Sequence, residues 1–592
     1  MKYLDLRSFL SDLERRGELV RISREVDPNQ EITVIQHRVL AAGGPALLFE
    51  RVKGSPYRVV TNLFGTARRV ALVCGEHPAA LGARLGRIVQ ALMPPSPGTL
   101  WRLRRDLYGL TAMRLHRRRS GPVLETVTQP PDLNALPVLT SWPDDGGPFF
   151  TLPLVHTVDP ENGQGNLGMY RLQRFDRSTT GMHWQIERGG GFHFDKALQQ
   201  GRSLPVSVFL GGPPALIIAA VAPLPEGIDE RLVAAYLTGR PLDVIHRPQS
   251  GHRIPANAEF VLEGRVEPND IRLEGPFGDH FGHYSNAADY PVFRVQRVLA
   301  RKNAIYPATV VGKPIQEDYF IGEALQEIAI PLLRLIKPAI ADLWAYPQAG
   351  FHALAAMAVH QRYPLEALKV ALGILGEGQA SLTKVLMVVD AHIHVRDFEA
   401  VSSAVWKHLT PEGLHLLSPT AQDTLDFTGP AMNTGSRLIL MANQGKNGPV
   451  RTTPPAVPAR QLDVHPKVNE LAVCGPAFLL VQVANDLTDC DGVAQALRHN
   501  PGTRDYLFHV LVSEDIPLDD PLLRLWGWFT RFDPAADMHP AGHSVRANRL
   551  VFDFPVLIDA RWKQGYPSPV TFDPEVARRV DERWQSYKIP VE

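Results

Sequence analysis

Val206-Ser-Val-Phe-Leu-Gly-Gly-Pro-Pro-Ala-Leu-Ile-Ile-Ala-Ala-Val-Ala-Pro223 is the most apolar stretch of the chain. Gly211-Gly212-Pro213-Pro214 breaks it, so it is too interrupted to span a bilayer as one helix. What remains is short apolar runs bounded by turn residues: Val206–Leu210, Ala215–Ala219 and, further on, Glu259-Phe-Val-Leu-Glu263. Short β-like runs with frequent Gly and Pro between them continue from about 120 to 310 and argue for a barrel or sandwich. Helices are sparse in this region, the clearest beginning near Asp229.

On either side the texture is α/β. Leu4, Leu6, Phe9, Leu10 and Leu13 share one helical face, with acids between them that rule out a secretory or transit peptide. Ala46–Phe49 and Val59–Thr61 read as strands of a small α/β domain. Trp101 to Arg119 carries seven arginines and one acid. It reads as a solvated connecting helix, or as a segment in contact with anionic lipid headgroups. From about 315 onward α/β alternation returns, with the texture of a partial repeat. Val385–Asp390 leads to Asp397 and then Pro411, and Leu507–Val512 leads to Asp520 and then Pro534, fourteen residues on in both cases. Between them, 448–466 holds five prolines and reads as a loop or linker.

The bulk numbers set the frame. A chain of 592 residues has room for two to four cores. Lys+Arg and Asp+Glu both total 62, so no net field draws it to nucleic acid. Cys74, Cys474 and Cys490 are scattered and form neither a disulfide framework nor a zinc motif, as expected of a cytoplasmic protein.

Three segments carry chemistry. Asn166-Leu-Gly-Met-Tyr-Arg171 precedes His183-Trp-Gln185-Ile-Glu187-Arg188-Gly-Gly-Gly191. An Asn amide oxygen suits Mg²⁺ or Mn²⁺, and the glycines allow backbone to approach a phosphate, although a glycine triplet is more often a loop. In a strand, Asn166, Gly168 and Tyr170 share one face, Met169 and Arg171 the other. Glu274-Gly-Pro-Phe-Gly-Asp279-His-Phe-Gly-His283 is a turn projecting two acids. One of these can stay ionised while the other carries a transferable proton. Asp229-Glu230 opens a helix, where acids usually serve the helix dipole.

These segments, in this order, resemble the UbiD family of reversible decarboxylases. So do Asp5-Leu-Arg-Ser-Phe-Leu10, Gly43-Gly-Pro-Ala-Leu-Leu-Phe-Glu50, Asn62-Leu-Phe-Gly-Thr66 and Ser141-Trp-Pro-Asp-Asp145. The resemblance implies an α/β (α+β) fold in three parts. These are an N-terminal α/β domain (1–115), a split β-barrel that binds flavin (116–312) and a C-terminal α/β oligomerisation domain (313–592), with an insertion near 447–500. It implies prenylated FMN, supplied by a flavin prenyltransferase, together with Mn²⁺ or Mg²⁺ and K⁺ as an optional further ion. Metal ligands fall on Asn166 and Glu230, with Glu187 where some members have His. Flavin contacts fall on Met169, Tyr170, Arg171, His183, Trp184, Gln185, Arg188 and Gly189. The phosphate-contacting lysine falls on Lys563, by its Asp-Ala-x-x-Lys spacing, in preference to Lys446. Arg171, Glu274 and Asp279 become the catalytic network, with Asp279 the proton donor.

The implied reaction is non-oxidative decarboxylation of an aromatic or unsaturated acid, first 4-hydroxy-3-polyprenylbenzoate of ubiquinone biosynthesis. A naphthoate of the alternative menaquinone route and a flavin oxidoreductase on a split barrel are the competing readings. The expected protein is a cytoplasmic homo-oligomer, with peripheral contact to the inner membrane as a further expectation.

Overall fold

The computed structural model describes residues 3–185, 189–225, 227–443 and 450–590. They fall into two compact units, Met1–Ile328 with Pro569–Glu592, and Ala329–Ser568. The architecture is mixed α/β throughout.

In the first unit the helix Leu6–Arg15 starts where Asp5 accepts a hydrogen bond from the Ser8 amide, in a reciprocal cap. It buries Leu6, Phe9, Leu10 and Leu13, while Leu4, expected on that face, is exposed. A four-stranded sheet follows, in the order Leu19–Val26, Ala46–Val52, Arg58–Thr61, Ile305–Pro307. Its last strand comes from the far end of the central region. Segments on both sides of the expected boundary near 115 thus build one sheet.

The central region forms a seven-stranded antiparallel sheet. Its order is Thr179–Gly181, Ala288–Ala300, Phe260–Glu274, Leu204–Leu210, Leu154–Val158, Gly165–Met169, with Thr126–Thr128 also on Ala288–Ala300. Two local expectations change. Ala215–Ala220 is a helix, not a strand, because Pro213 and Pro214 lead into an alanine-rich run whose N–H groups need no partner across a sheet. Gly189–Gln199 is likewise helical, so the glycine triplet opens a helix instead of lying in a loop. Residues 569–592 return to this unit. There the helix Pro574–Tyr587 buries Val576, Val580 and Tyr587, and the Tyr587 hydroxyl donates to Glu31 at 2.7 Å.

The second unit holds two five-stranded sheets with one strand order. The first runs Ile340–Ala345, Leu354–Val359, Val385–Asp390, Thr434–Ala442, Leu414–Ala421. The second runs Val468–Val473, Phe478–Val483, Phe508–Val512, Arg549–Asp559, Met538–Arg546. The stretch expected as an insertion near 447–500 thus supplies the first two strands and the helix Cys490–His499 of the second sheet. Five of its prolines lie before Val468, where the first strand begins, and Pro476 lies in the turn between the two strands.

After the third strand of each copy an aspartate caps a helix: Asp397 for Phe398–His408 and Asp520 for Pro521–Phe529. The copies touch reciprocally. Asp533, just before the fourth-strand hairpin of the second copy, accepts from the Ser436 amide and hydroxyl at 2.8 and 2.7 Å on the last strand of the first. Glu412, at the matching place in the first copy, pairs with Arg546 of the second at 2.5 Å and accepts from Arg549 through its carbonyl. Equivalent parts meeting across an interface in both directions is the signature of two-fold packing.

Candidate active site

Arg171 follows the strand Gly165–Met169 and is almost wholly buried. Its Nε donates to Glu274 Oε1 at 3.0 Å and its Nη1 to Asp279 Oδ2 at 2.5 Å. Phe277 packs against the guanidinium at 4.9 Å. The third donor, Nη2, is buried and has no partner. Such an orphan N–H is one that a ligand's own carboxylate could satisfy.

The turn that presents the acids is clamped from both sides. Asp145 accepts from the amides of Ser141, Trp142 and Gly278, each at 2.8–2.9 Å. Gln173 accepts from the Gly275 amide at 2.8 Å and donates to the Gly146 carbonyl at 2.6 Å. Gly146 has no alternative here, since a Cβ would sit 2.2 Å from the Gly275 carbonyl oxygen.

Electrostatically the two acids are not split. Burial alone would raise Asp279, but the hydrogen bond from His280 and the charge of Arg171 outweigh it and hold its carboxyl well below the ordinary range. Glu274 is also lowered: burial is overcome by His183 and Arg171. Both therefore stand ionised at neutral pH, in place of the expected division into one ionised and one protonated acid, because each has a histidine partner of its own and a share of the Arg171 guanidinium. His183 Nδ1 lies 3.0 Å from Glu274 Oε1. Burial and then the charge of Arg171 lower this histidine, so it is neutral, donates through Nδ1 and leaves Nε2 without a partner. Asp318, a residue the sequence did not single out, is raised by burial to about 6, with His280 pulling against the rise.

The second half of the site is built by Asn166, Tyr170, Trp184 and the helix Gly189–Gln199. The Gly190 amide donates to the Tyr170 hydroxyl at 3.2 Å. A Cβ at Gly189 would lie 2.1 Å from Asn166 Oδ1, and one at Gly190 would lie 2.6 Å from Trp184 Nε1. The glycines are needed for this approach. Asn166 Nδ2 and Trp184 Nε1 are buried without partners. Met169 packs partly buried against the core, and Gln185 is half-buried beside the new helix.

Glu230 opens the helix Glu230–Thr238, capped by Asp229, and its Oε2 accepts from the Leu167 amide at 2.8 Å. Burial raises its carboxyl to about 7. Behind it, Arg231 pairs with Asp229 at 2.6 Å and contacts His156 Nε2 at 3.1 Å, and His156 Nδ1 lies 2.9 Å from the Asn166 carbonyl. His156 and Arg231 carried no motif in the sequence. Among the described residues no three His, Cys, Asp or Glu side chains gather into a metal site. Asn166 and Glu230 do supply two oxygen donors beside a helix N-terminus, and a divalent ion shared with an oxygen-rich anion fits that set.

Glu187, Arg188 and Lys446 lie outside the described residues. Lys563 belongs to the second unit, where its ammonium donates to the Asp559 carbonyl at 2.7 Å and pairs with Asp537 at 3.2 Å.

Comparison with known proteins supplies the family. The 3-octaprenyl-4-hydroxybenzoate carboxy-lyase N-terminal, Rift-related and C-terminal domains match residues 10–89, 114–314 and 319–442. The chain belongs to the UbiD family of carboxy-lyases. The last match ends where the first sheet of the second unit ends, at Ala442.

A Chlamydia pneumoniae protein, named as part of a 4-hydroxybenzoate decarboxylase, is 40% identical over 586 residues, covering 98% of each chain. The vanillic acid decarboxylase of Sedimentibacter hydroxybenzoicus, in its closed form, superposes with a TM-score of 0.67 at 25% identity, over 78% of this chain and 97% of its own. An evolved dimeric form of the UbiD-class enzyme HmfF from Pelotomaculum thermopropionicum, in complex with prenylated FMN, gives a TM-score of 0.62 at 26% identity, over 78% and 98%.

Proposed function

We propose that this carboxy-lyase removes carbon dioxide, without net oxidation, from a para-hydroxylated aromatic acid, using prenylated FMN and Mn²⁺ or Mg²⁺. The single observation that carries the reading is the buried Arg171, two of its donors taken by Glu274 and Asp279 and the third open. The chlamydial relative's name and the family description favour a 4-hydroxybenzoate core, and 4-hydroxy-3-polyprenylbenzoate is the substrate we place first. A naphthoate is the second reading, favoured by the length this chain carries beyond the vanillic acid decarboxylase.

When bound, the flavin supplies the electron sink that no side chain offers for a carbanion at an unsaturated carbon. The protein does the rest. Arg171 Nη2 takes the substrate carboxylate and fixes its orientation, while Glu274 and His183 hold the guanidinium in plane. Asn166 and Glu230 would hold the metal, with Tyr170, Trp184 and Gly189 lining the cofactor. Asp279 is ionised at rest, so it must gain a proton before giving one to the carbon that carbon dioxide leaves. His280, hydrogen-bonded to Asp279 Oδ1 at 2.8 Å, and Asp318, whose carboxyl burial raises to about 6, are the groups placed to renew it.

Self-association, reported for the dimeric HmfF form, is proposed here as well. The deciding experiment co-expresses the chain with a flavin prenyltransferase and assays both acids. Turnover with plain FMN, or of neither acid, would overturn the proposal.

A further inference from the structure

Pro97–Arg102 and Arg104–Leu110 are two consecutive helices in which no residue is buried. Helices with no fully buried residue gain little from tertiary packing, and six or seven residues are too few to be stable alone. The second is nevertheless fixed to the first unit at its C-terminal end. Ala112 is buried, and Leu110, Met113 and Leu115 pack against its core. The strand Leu115–Arg118 pairs in parallel with Leu242–His246 as the edge of a three-stranded sheet.

The surface displayed in this way is both apolar and cationic. Trp101 is 70% exposed, Tyr108 77%, Met93 63% and Leu92 44%. Arg102, Arg104, Arg105, Arg114, Arg117, Arg118 and Arg119 are all exposed around them, with Asp106 the one acid between Trp101 and Arg119. Among the described residues only Arg118 of these pairs with a carboxylate, Asp243 at 3.1 Å. Arg104 lies over the Trp101 ring at 4.6 Å and donates to the Trp101 carbonyl, so ring and charge are presented together.

We propose that this surface docks the enzyme on an anionic phospholipid bilayer. Exposed Trp and Tyr with Met and Leu beside them match the headgroup–acyl boundary, where amphipathic rings and short apolar side chains partition. The arginines match the negative surface, each contributing independently of sequence or partner fold. A second copy of the chain is a poor occupant, because a two-fold contact would set the same seven arginines against each other.

The inference goes beyond the reaction yet bears on it. A Cβ at Gly109 would lie 3.6 Å from the ring of Tyr236, which sits on the helix Glu230–Thr238. The docking surface is therefore tied to the helix whose first residue is Glu230, and an enzyme seated there works at the membrane surface.

The test uses the full-length holoenzyme and sedimentation with vesicles of phosphatidylcholine alone or mixed with phosphatidylglycerol. The protein should sediment with the mixed vesicles only, and less as salt rises. Replacing Arg102, Arg104 and Arg105 together by Glu should weaken binding by about a hundredfold or more. Trp101→Ala with Met93→Ser should weaken it at unchanged charge. Flavin content and turnover of a water-soluble acid should match wild type in both variants, which separates loss of docking from loss of the site. Equal binding to both vesicles, wild-type binding by the arginine variant, or binding to RNA or heparin but not to vesicles would each overturn the proposal.

Discussion

Arg231 Nη1 and His156 Nε2 lie 3.1 Å apart, and since a guanidinium can only donate, His156 must accept through Nε2. Its proton is then on Nδ1, which donates to the Asn166 carbonyl. Burial first, then the charge of Arg231, lowers His156 well below its ordinary value, which keeps it in this neutral form. The relay Asp229–Arg231–His156–Asn166 couples the helix that carries Glu230 to the strand that carries Asn166. Gly165 leaves the room, since a Cβ there would meet Arg231 at 2.7 Å and His156 at 3.0 Å. His156→Leu should weaken Mn²⁺ binding by ~10–100-fold, the range for losing an outer partner of a ligand. Electron paramagnetic resonance titration of free Mn²⁺ reads this directly. Affinity equal to wild type would show that the relay does not position the ligands.

Asp279→Asn keeps the shape of the site and one hydrogen bond to Arg171 but removes the transferable proton. Turnover should fall by ~10²–10⁴ with the flavin retained. Deuterium from solvent should enter the product more slowly. Near-normal turnover and incorporation in the variant would assign the proton to another group, Asp318 first.

Gly189→Ala places a methyl group where Asn166 Oδ1 now lies, 2.1 Å away. The Asn166 side chain is displaced, and metal and flavin retention should both drop while the far-ultraviolet circular dichroism stays that of wild type. Full retention of both would mean that the helix shifts to accommodate the methyl.

His252 and His509 set an acid limit. Burial lowers both from 6.5 to about 4, with Arg231 adding to the effect on His252. The fold holds them neutral, so below pH ~6.5 the unfolded chain binds protons that the folded chain refuses. Their contribution is complete above that pH and is lost as pH falls toward ~4, at about 1.4 kcal/mol per unit for each. Asp279 and Glu274, lowered instead, lose theirs only in a separate window beneath the ordinary carboxylate values. His509→Gln keeps a donor for the Thr503 carbonyl, and between pH 6.5 and 5 it should reduce the fall in unfolding free energy by about 2 kcal/mol. Denaturant titrations at the two pH values measure it. An unchanged difference would exclude His509 as a source of the acid sensitivity.

Much of this was legible in the sequence where a pattern is local. Leu6, Phe9, Leu10 and Leu13 marked a helix by spacing, and the matching Asp–Pro intervals after Val385–Asp390 and Leu507–Val512 marked two like-ordered segments. Asn166, Arg171, Glu274 and Asp279 stood out by motif and resemblance. What local pattern cannot supply is company. His156 and Arg231 are 75 residues apart and meet only through the sheet. The histidines and the shared guanidinium that keep Glu274 and Asp279 ionised meet them only through a turn clamped by Asp145 and Gln173. Ala215–Ala220 misled because a short apolar run has no period long enough to separate strand from helix.

The reciprocal seam in the second unit, Asp533 to Ser436 one way and Arg546 to Glu412 the other, has a bearing on assembly. A contact that closes on itself leaves no open end, so it cannot propagate into a filament or admit a third member. Fusion in one chain makes the pairing unimolecular, at a local concentration that dilution does not lower. Whatever self-association this enzyme shows must then use other surfaces. Each half of the pair is also free to drift in sequence, because it needs to fit one lifelong neighbour and never a replica of itself.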